Sequence, residues 1–324
     1  MPHAIRIHQT GGPEVLQWES IEVGKPGPNE IRIRQSAAGL NYIDTYHRTG
    51  AYPIQTPATP GLEGAGVVDE IGTAVTDLKP GDRIAYASPP MGSYAEVRLM
   101  PADRVVKIPD GISDIQAASM MLKGMTAEYL LRRTYPVKAG DTILVHAAAG
   151  GVGLILCQWA KHLGATVIGT AGDEKKAALA KSHGCDHTIL YRSEDFVARV
   201  AEFTGGKKCA VVYDGVGKDT FMKSLDCLKP LGMMALFGAA SGPVPPFDLG
   251  VLPAKGSLFV TRPTLVTYNA QRADLVKSAQ ALFDVVSNGA VKIEVNQTYP
   301  MKDAVQAHRD LEARKTTGSS VLVV

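Results

Sequence analysis

The spacing of apolar positions changes along the chain. Residues 1–125 carry short apolar or alternating runs between Gly/Pro turns, which predict strands with few helices between them. Residues 140–260 instead alternate short β-branched runs with longer segments of helical periodicity. We therefore predict an α/β protein that combines a compact antiparallel β-barrel with a doubly wound parallel sheet.

The second region resolves into six strands separated by helices. The predicted strands are 142–146, 166–170, 187–190, 210–214, 233–238 and 257–261. The predicted helices are 151–163, 173–183, 194–203 and 218–228. Crossovers of this length favour a six-stranded parallel sheet. Residues 113–133, just before it, predict two helices separated by Lys123-Gly124.

The stretch 140–161 reads as strand, glycine turn and helix. A strand that passes through glycines into a helix leaves unpaired N–H groups and the positive end of the helix dipole facing outward. That arrangement suits a pyrophosphate. The strict G-x-G-x-x-G fingerprint is not met, since Ala147 replaces its first glycine. On the motif alone, a tight turn without a ligand remains the alternative.

Bulk composition excludes several classes of function. A length of 324 residues predicts two domains, and a net charge of +2 favours neither nucleic acid nor an anionic membrane as partner. The four cysteines form no CxxC motif, which predicts free thiols in a reducing compartment. Neither a secretory signal nor an apolar run of membrane-spanning length is recognisable, so we expect a cytoplasmic protein.

The stretch 140–161 resembles the signature of the quinone oxidoreductase / zeta-crystallin family, the zinc-free members of the medium-chain dehydrogenase/reductase superfamily. The positions that match the signature are Gly140, Asp141, Leu144, Ala148, Ala149, Gly150, Gly151, Gly153, Gln158 and Lys161. The resemblance extends over nearly the full chain. It implies a GroES-like catalytic domain at 1–125, completed by 261–324, and a Rossmann NADP-binding domain at 126–260.

The resemblance also indicates that no metal is bound. Zinc-dependent relatives carry a cysteine ligand after the glycine of the first substrate segment and a His-Glu pair in the second. This chain has Leu40-Asn41 and Leu62-Glu63 at those places, and zinc requires thiolate or imidazole ligands. Glu63 is expected to be a structural carboxylate paired with a base or a backbone N–H.

NADP(H) is the predicted cofactor. An NAD site places a carboxylate about twenty residues past the glycines, but that position falls at Ala171-Gly172. Gly172 and Lys176 are suited to a 2′-phosphate instead, and Tyr191 and Arg314 resemble family residues that contact this group. Asp173 and Glu174 argue against this prediction, because either could point at the ribose or at solvent.

Further cofactor contacts are expected in the glycine turn, in the segments that follow two later strands, and in two segments outside the sheet. These residues are Ala149, Gly150, Gly151, Val152, Gly215, Val216, Phe237, Gly238, Ala239, Thr126 and Asn41. For each glycine-rich strand end taken alone, plain turn chemistry is the alternative.

The resemblance implies hydride transfer from NADPH to a quinone without a metal. Asn41 and Tyr46 match family residues that line the cleft beside the nicotinamide, and Tyr52 is a candidate to stack on a flat ring. Each tyrosine is alternatively a wall residue without a chemical role. His47 is a possible proton donor, but we interpret it as a surface helix residue.

Two other functions remain open. One is an NADPH-dependent enone or enal reductase of the same superfamily. The other is a non-catalytic NADPH-binding protein of the crystallin or RNA-binding type. The strand predicted at 257–261 should leave an exposed sheet edge, so we also expect a homodimer.

Overall fold

The computed structural model describes all 324 residues, which form two compact units. Unit 1 comprises Met1–Met125, Asn269–Ser287 and Ile293–Val324. Unit 2 comprises Thr126–Tyr268 and Asn288–Lys292. None of the helices combines the length and the apolar character that spanning a bilayer requires.

The chain forms fifteen strands and ten α-helices. The strands are β1 His3–Arg6, β2 Gln17–Ser20, β3 Glu30–Leu40, β4 Glu63–Ile71, β5 Arg83–Ala87, β6 Val97–Pro101, β7 Val106–Lys107, β8 Thr142–Val145, β9 Thr166–Ala171, β10 His187–Leu190, β11 Cys209–Asp214, β12 Leu228–Leu236, β13 Phe259–Thr261, β14 Val295–Pro300 and β15 Ser319–Val323. The helices are α1 Tyr42–Thr49, α2 Asp114–Tyr129, α3 Gly151–His162, α4 Glu174–Ser182, α5 Phe196–Phe203, α6 Phe221–Ser224, α7 Val251–Ala254, α8 Leu265–Tyr268, α9 Arg272–Ser287 and α10 Ala304–Glu312.

Unit 1 is built on a seven-stranded sheet in the order β14-β15-β3-β4-β5-β7, with β6 also paired to β3. All its pairs are antiparallel except β14 with β15, which are parallel. Ile31 and Ile33 of β3 point into a buried cluster with Val68, Ile84 and other apolar residues, as period-two alternation requires. The long strand β3 ends at Leu40, so it delivers Asn41 directly to the start of α1.

Unit 2 contains the predicted six-stranded parallel sheet, which is confirmed. Its order is β10-β9-β8-β11-β12-β13, and every neighbouring pair is parallel. Counted within the sheet this is 3-2-1-4-5-6, the order of dinucleotide-binding folds. The order reverses at β8, so the ends of β8, β9 and β11 lie next to each other at the switch point where such sheets bind ligands.

The predicted break at Lys123-Gly124 is wrong. Helix α2 runs through both residues and continues as a π-helical turn at Leu130–Thr134. A Cβ on Gly124 would lie 2.4 Å from Leu282 Cδ1 of α9, so the glycine allows close packing of two helices. The sequence signal of a breaker was therefore a packing requirement set by a residue far away in the chain.

The other differences concern short elements. The helix predicted at 218–228 is reduced to α6 and a 3₁₀ turn at Leu225–Cys227. Helices α7 and α8 have only four residues each, too few for a periodic pattern to indicate them.

Candidate functional site

The turn after β8 keeps the backbone of a dinucleotide-binding loop although its first glycine is absent. Ala147 has φ +53°, the left-handed conformation that glycine adopts without strain. A Cβ on Gly153 would lie 2.4 Å from the carbonyl oxygen of Ala147, so only glycine lets α3 start this close to the turn. The structure thus retains the turn and places its strain on an alanine.

Helix α3 begins with backbone N–H groups that have no acceptor within the helix. Its N-cap Gly150 is extended and provides no side-chain cap, and the first internal bond joins Leu154 N to Gly150 O. By helix geometry the N–H groups of Gly151, Val152 and Gly153 have no acceptor within the helix. Gly151 and Val152 therefore present N–H groups at the positive end of a helix, which fits a diphosphate, whereas the N–H of Gly150 donates to Ala147 O within the turn.

The loops after β11 and β12 lie against each other. Asp214 Oδ1 accepts hydrogen bonds from Val216 N at 2.6 Å and Gly217 N at 3.1 Å, which folds the first loop back on its strand. A Cβ on Gly238 would lie 2.5 Å from Gly215 O, so the second loop passes close to the first. The structure thus brings Gly215, Val216, Phe237, Gly238 and Ala239 together, and Gly238 lies where the two loops touch and a side chain would clash.

A cationic group of residues lies at the ends of β9 and β10. The Tyr191 hydroxyl lies 3.0 Å, and Arg192 Nε 3.6 Å, from the place that a Cβ on Gly172 would take. Lys176 follows in the first turn of α4, and Asp173 Oδ1 accepts from Lys176 N at 2.9 Å. Asp173 is therefore the N-cap of α4, which accounts for its place after the glycine without a ribose contact.

The sequence reasoning missed Arg192. Its signal was present: β10 and β9 are parallel neighbours with Leu190 opposite Ala171, so the residues after both strands share one edge. Applying the switch-point rule to the third strand, as well as to the second, would have identified Arg192 beside Tyr191.

In unit 1, Asn41 belongs to a buried polar cluster. Its Nδ2 donates to Glu63 Oε2 at 2.7 Å and to Gly39 O at 3.3 Å. Lys123 Nζ donates to the same Glu63 oxygen at 2.9 Å, and Leu122 N donates to Oε1 at 2.8 Å. Glu63 therefore has the base and the backbone N–H expected for a structural carboxylate, and it fixes the orientation of the Asn41 amide.

The predicted aromatic residues also meet in unit 1. The Tyr46 ring centroid lies 5.6 Å from that of Tyr42 and 5.2 Å from that of Tyr52. Tyr52 remains 38% exposed, and its N–H donates to Tyr46 O. His47 packs edge-on against Tyr52, and burial lowers its pKa, so its imidazole is neutral at pH 7 and not a charged proton donor.

A series of buried hydrogen bonds links α1 to α10. Arg48 Nη1 donates to His308 Nδ1 at 2.9 Å, His308 Nε2 to the Tyr94 hydroxyl at 3.2 Å, and Tyr94 to Asp44 Oδ2 at 2.8 Å. This direction follows because arginine only donates, and burial together with the charge of Arg48 lowers the pKa of His308 to about 3. Burial raises the pKa of Asp44 to about 7. These bonds hold α1 in place, and α1 follows Asn41 and carries Tyr46.

The remaining predicted residues lie in different units. Arg314 follows α10 in unit 1 with φ +59°, and Thr126 is buried in α2 within unit 2. Their contacts with a cofactor stay predictions. Nowhere in the chain do three or more His, Cys, Asp or Glu side chains come together in a group that could hold a metal ion.

Two family models match the chain. Residues 27–110 match an alcohol dehydrogenase GroES-like domain, and residues 151–271 match a zinc-binding dehydrogenase. The first match lies within unit 1, and the second begins at the first residue of α3.

Curated relatives match over the whole length. A quinone oxidoreductase of Pseudomonas aeruginosa is 51% identical over 100% of both chains. A 2-haloacrylate reductase of a Burkholderia species is 47% identical over 100% of this chain and 99% of its own. Among solved structures, Escherichia coli quinone oxidoreductase complexed with NADPH has a TM-score of 0.98 at 48% identity, covering 99% of this chain and 100% of that one.

Proposed function

Because the chain belongs to the quinone oxidoreductase family of the medium-chain dehydrogenases/reductases, we propose that it reduces quinones with NADPH. The chain is an NADPH-dependent oxidoreductase with a GroES-like part and a Rossmann sheet. The observation that carries this function is the arrangement of the loops at the carboxyl ends of the parallel strands. Its glycine turn fits a diphosphate, while the group at Gly172, Tyr191 and Arg192 fits a 2′-phosphate.

We propose the following residue roles. Ala149, Gly150, Gly151 and Val152 hold the diphosphate, while Gly172, Lys176, Tyr191 and Arg314, joined by Arg192, hold the 2′-phosphate. The loops with Gly215, Val216, Phe237, Gly238 and Ala239, together with Thr126, line the nicotinamide half. In this assignment unit 1 is the catalytic domain and unit 2 the NADP-binding domain.

Bound NADPH supplies the hydride, and the chain supplies position and hydrogen bonds. Asn41, whose amide is fixed by Glu63, contacts the nicotinamide ribose in this proposal. The Tyr46 hydroxyl donates to the quinone oxygen, where negative charge develops, and Tyr52 stacks on the quinone ring. A quinone spreads the developing charge over its ring, so a neutral donor is sufficient.

The direct test is NADPH oxidation across a series of quinones, followed at steady state with and without a chelator. We expect turnover with NADPH, far slower turnover with NADH, and no loss of rate after chelation. Binding of NADPH without turnover of any quinone would instead support the non-catalytic binding protein.

A second candidate is the reduction of an α,β-unsaturated acid or carbonyl compound. The 2-haloacrylate reductase relative at 47% identity favours it, since the fold and cofactor site would be the same. Straight-chain enals, enones and 2-chloroacrylate belong in the same panel as the quinones. A kcat/KM higher for one of these than for every quinone would decide for this candidate.

Replacement of Tyr46 by phenylalanine should lower kcat about tenfold, because one hydrogen bond to the developing charge is lost. The Kd for NADPH should not change, because the ring and its packing against Tyr42 and Tyr52 remain. Steady-state kinetics and fluorescence titration measure the two quantities. Tyr42→Phe is the matched control on the same helix, and an unchanged kcat for Tyr46→Phe would remove Tyr46 from the mechanism.

We further propose a homodimer formed through β13. This strand is the last in the sheet, and Phe259 and Val260 are 56% and 36% exposed beside its unpaired edge. Leu231 of β12, the strand that pairs with β13, is 66% exposed. Apolar side chains at an open edge favour pairing with a second copy across a two-fold axis.

Val260→Lys is therefore expected to convert the dimer to a monomer, because it places a charge at the proposed interface. Sedimentation velocity measures the mass. Val276→Lys, at an exposed valine of α9, is the control and should leave the mass unchanged. A wild-type monomer, or a dimer that persists in Val260→Lys, would contradict the proposed interface.

The cytoplasm is the compartment we propose. All four cysteines are free and buried, as in proteins of reducing compartments.

A further inference from the structure

A series of hydrogen bonds with buried side chains at its centre runs beneath the carboxyl ends of the strands in unit 2. It begins at the strained Ala147, whose N–H donates to Thr170 Oγ1 at 3.3 Å. Thr170 Oγ1 lies 3.1 Å from His146 Nδ1, and His146 Nε2 lies 2.8 Å from Ser224 Oγ. The three side chains are 2% exposed or less.

The chain continues to the second loop at the sheet edge. Ser224 Oγ donates to Thr220 O at 2.8 Å, and Thr220 Oγ1 donates to Asp214 Oδ2 at 2.7 Å. The other oxygen of Asp214 accepts from Val216 and Gly217, as described above. One end of the chain is therefore the glycine turn before α3, and the other is the loop after β11.

The direction of the bonds is fixed by the available hydrogens. Ser224 uses its single hydrogen toward Thr220 O, so it accepts from His146 Nε2–H. Burial lowers the pKa of His146, and the neutral ring with hydrogen on Nε2 accepts at Nδ1 from the Thr170 hydroxyl. Thr170 Oγ1 is then free to accept from Ala147 N–H, so the donor and acceptor roles agree from Ala147 to Ser224.

We propose that His146, Thr170 and Ser224 are positioning residues that hold the Ala147 turn in place for the diphosphate of the cofactor. This inference rests on the proposed function, because it takes the turn and the Asp214 loop as cofactor-binding segments. A left-handed alanine persists only where its surroundings fix it. Thr170 contacts this turn twice, since its backbone oxygen also accepts from the neighbouring Ala148 N at 3.0 Å.

The chemistry of the chain supports a positioning role over simple filling of the core. Buried polar side chains lose their hydration, and apolar residues of the same volume would avoid that loss. A fully satisfied polar chain instead specifies one geometry for the groups at its ends. Here those ends are the two loops that the sheet order places at the switch point.

The test is Thr170→Val, which removes the hydroxyl and keeps the shape of the side chain. We expect the Kd for NADPH to rise about tenfold, because the Ala147 N–H loses its hydrogen bond to Thr170 Oγ1. The Kd for NADH should rise by the same factor, because both nucleotides carry the diphosphate. Adenosine 2′-monophosphate, which lacks the diphosphate, should bind as it does to the wild type, and kcat at saturating NADPH should stay near the wild-type value.

Three further variants distinguish positioning from a general loss of structure. Thr170→Ser keeps the hydroxyl and should restore wild-type affinity for NADPH. Thr166→Val makes the same replacement at the other end of β9 and should change no affinity. Ser224→Ala removes the acceptor of His146 and should weaken NADPH in the same pattern, and it replaces Thr170→Val if that variant does not fold. In the double variant Thr170→Val/Ser224→Ala, the Kd for NADPH should rise by less than the product of the two single factors, because both residues belong to one series of hydrogen bonds.

Wild-type affinity for NADPH in both Thr170→Val and Ser224→Ala would overturn the inference. Equal weakening of NADPH and adenosine 2′-monophosphate would overturn it as well, because that pattern reports a damaged fold. If the wild-type protein itself fails to bind NADPH, the proposed function fails instead.

Discussion

Simultaneous replacement of Lys176 and Arg192 by alanine is expected to raise the Kd for NADPH about 100-fold, because each cation contributes about tenfold through a charge-assisted hydrogen bond. The Kd for NADH should stay within about threefold of the wild-type value, since NADH lacks the 2′-phosphate that both cations are proposed to contact. The expected result rests on the position of Arg192 Nε and the Tyr191 hydroxyl beside Gly172, with Lys176 one turn along α4.

Isothermal titration calorimetry with both nucleotides measures the effect. Lys175→Ala is the matched control, because Lys175 precedes Lys176 on the same helix and is exposed. Each single variant should raise the Kd for NADPH about tenfold. A loss of NADH affinity as large as that of NADPH would show that the residues support the fold, while an unchanged single variant would remove that residue from the phosphate site.

The periodic signals in the sequence were sufficient for the parallel sheet. The central strands β8, β9 and β11 of unit 2 are short apolar runs that are almost entirely buried, as in Ile143, Leu144 and Val145 of β8. Such runs are local, so one sequence window contains all the information they need. The position about twenty residues past the glycines led to Gly172 and Lys176, while Tyr191 came from the resemblance to the family.

Contacts between distant residues were not accessible in the same way. Gly124 was interpreted as a helix break because its partner Leu282 lies 158 positions later, and no local pattern indicates that two helices approach there. The ion pair of Glu63 with Lys123 likewise joins β4 to α2. From the sequence we could predict only that Glu63 pairs with some base, since the choice among the lysines of the chain depends on the fold.

That ion pair leads to the second large effect. Lys123→Met should lower the free energy of unfolding of unit 1 by about 3–5 kcal/mol, the usual cost of leaving one buried charge without its partner. Glu63 is fully buried, and in this variant it keeps only the hydrogen bonds from Asn41 and Leu122. Urea unfolding followed through Trp18 measures the change, in a Trp159→Phe background so that only unit 1 reports.

The control is an ion pair of the same length at the surface of the same unit. Lys107 Nζ lies 2.9 Å from Asp82 Oδ2, and its side chain is 56% exposed. Lys107→Met should cost at most about 1 kcal/mol, because water screens that pair. Combining Lys123→Met with Glu63→Gln should recover part of the loss, since a neutral amide leaves no charge behind and its one oxygen still accepts from Asn41, while its NH2 group faces the Leu122 N–H. Equal costs for the two lysines would mean that the Glu63 carboxylate is stabilised by its amide donors alone, and that Lys123 is not needed to hold Asn41 in place.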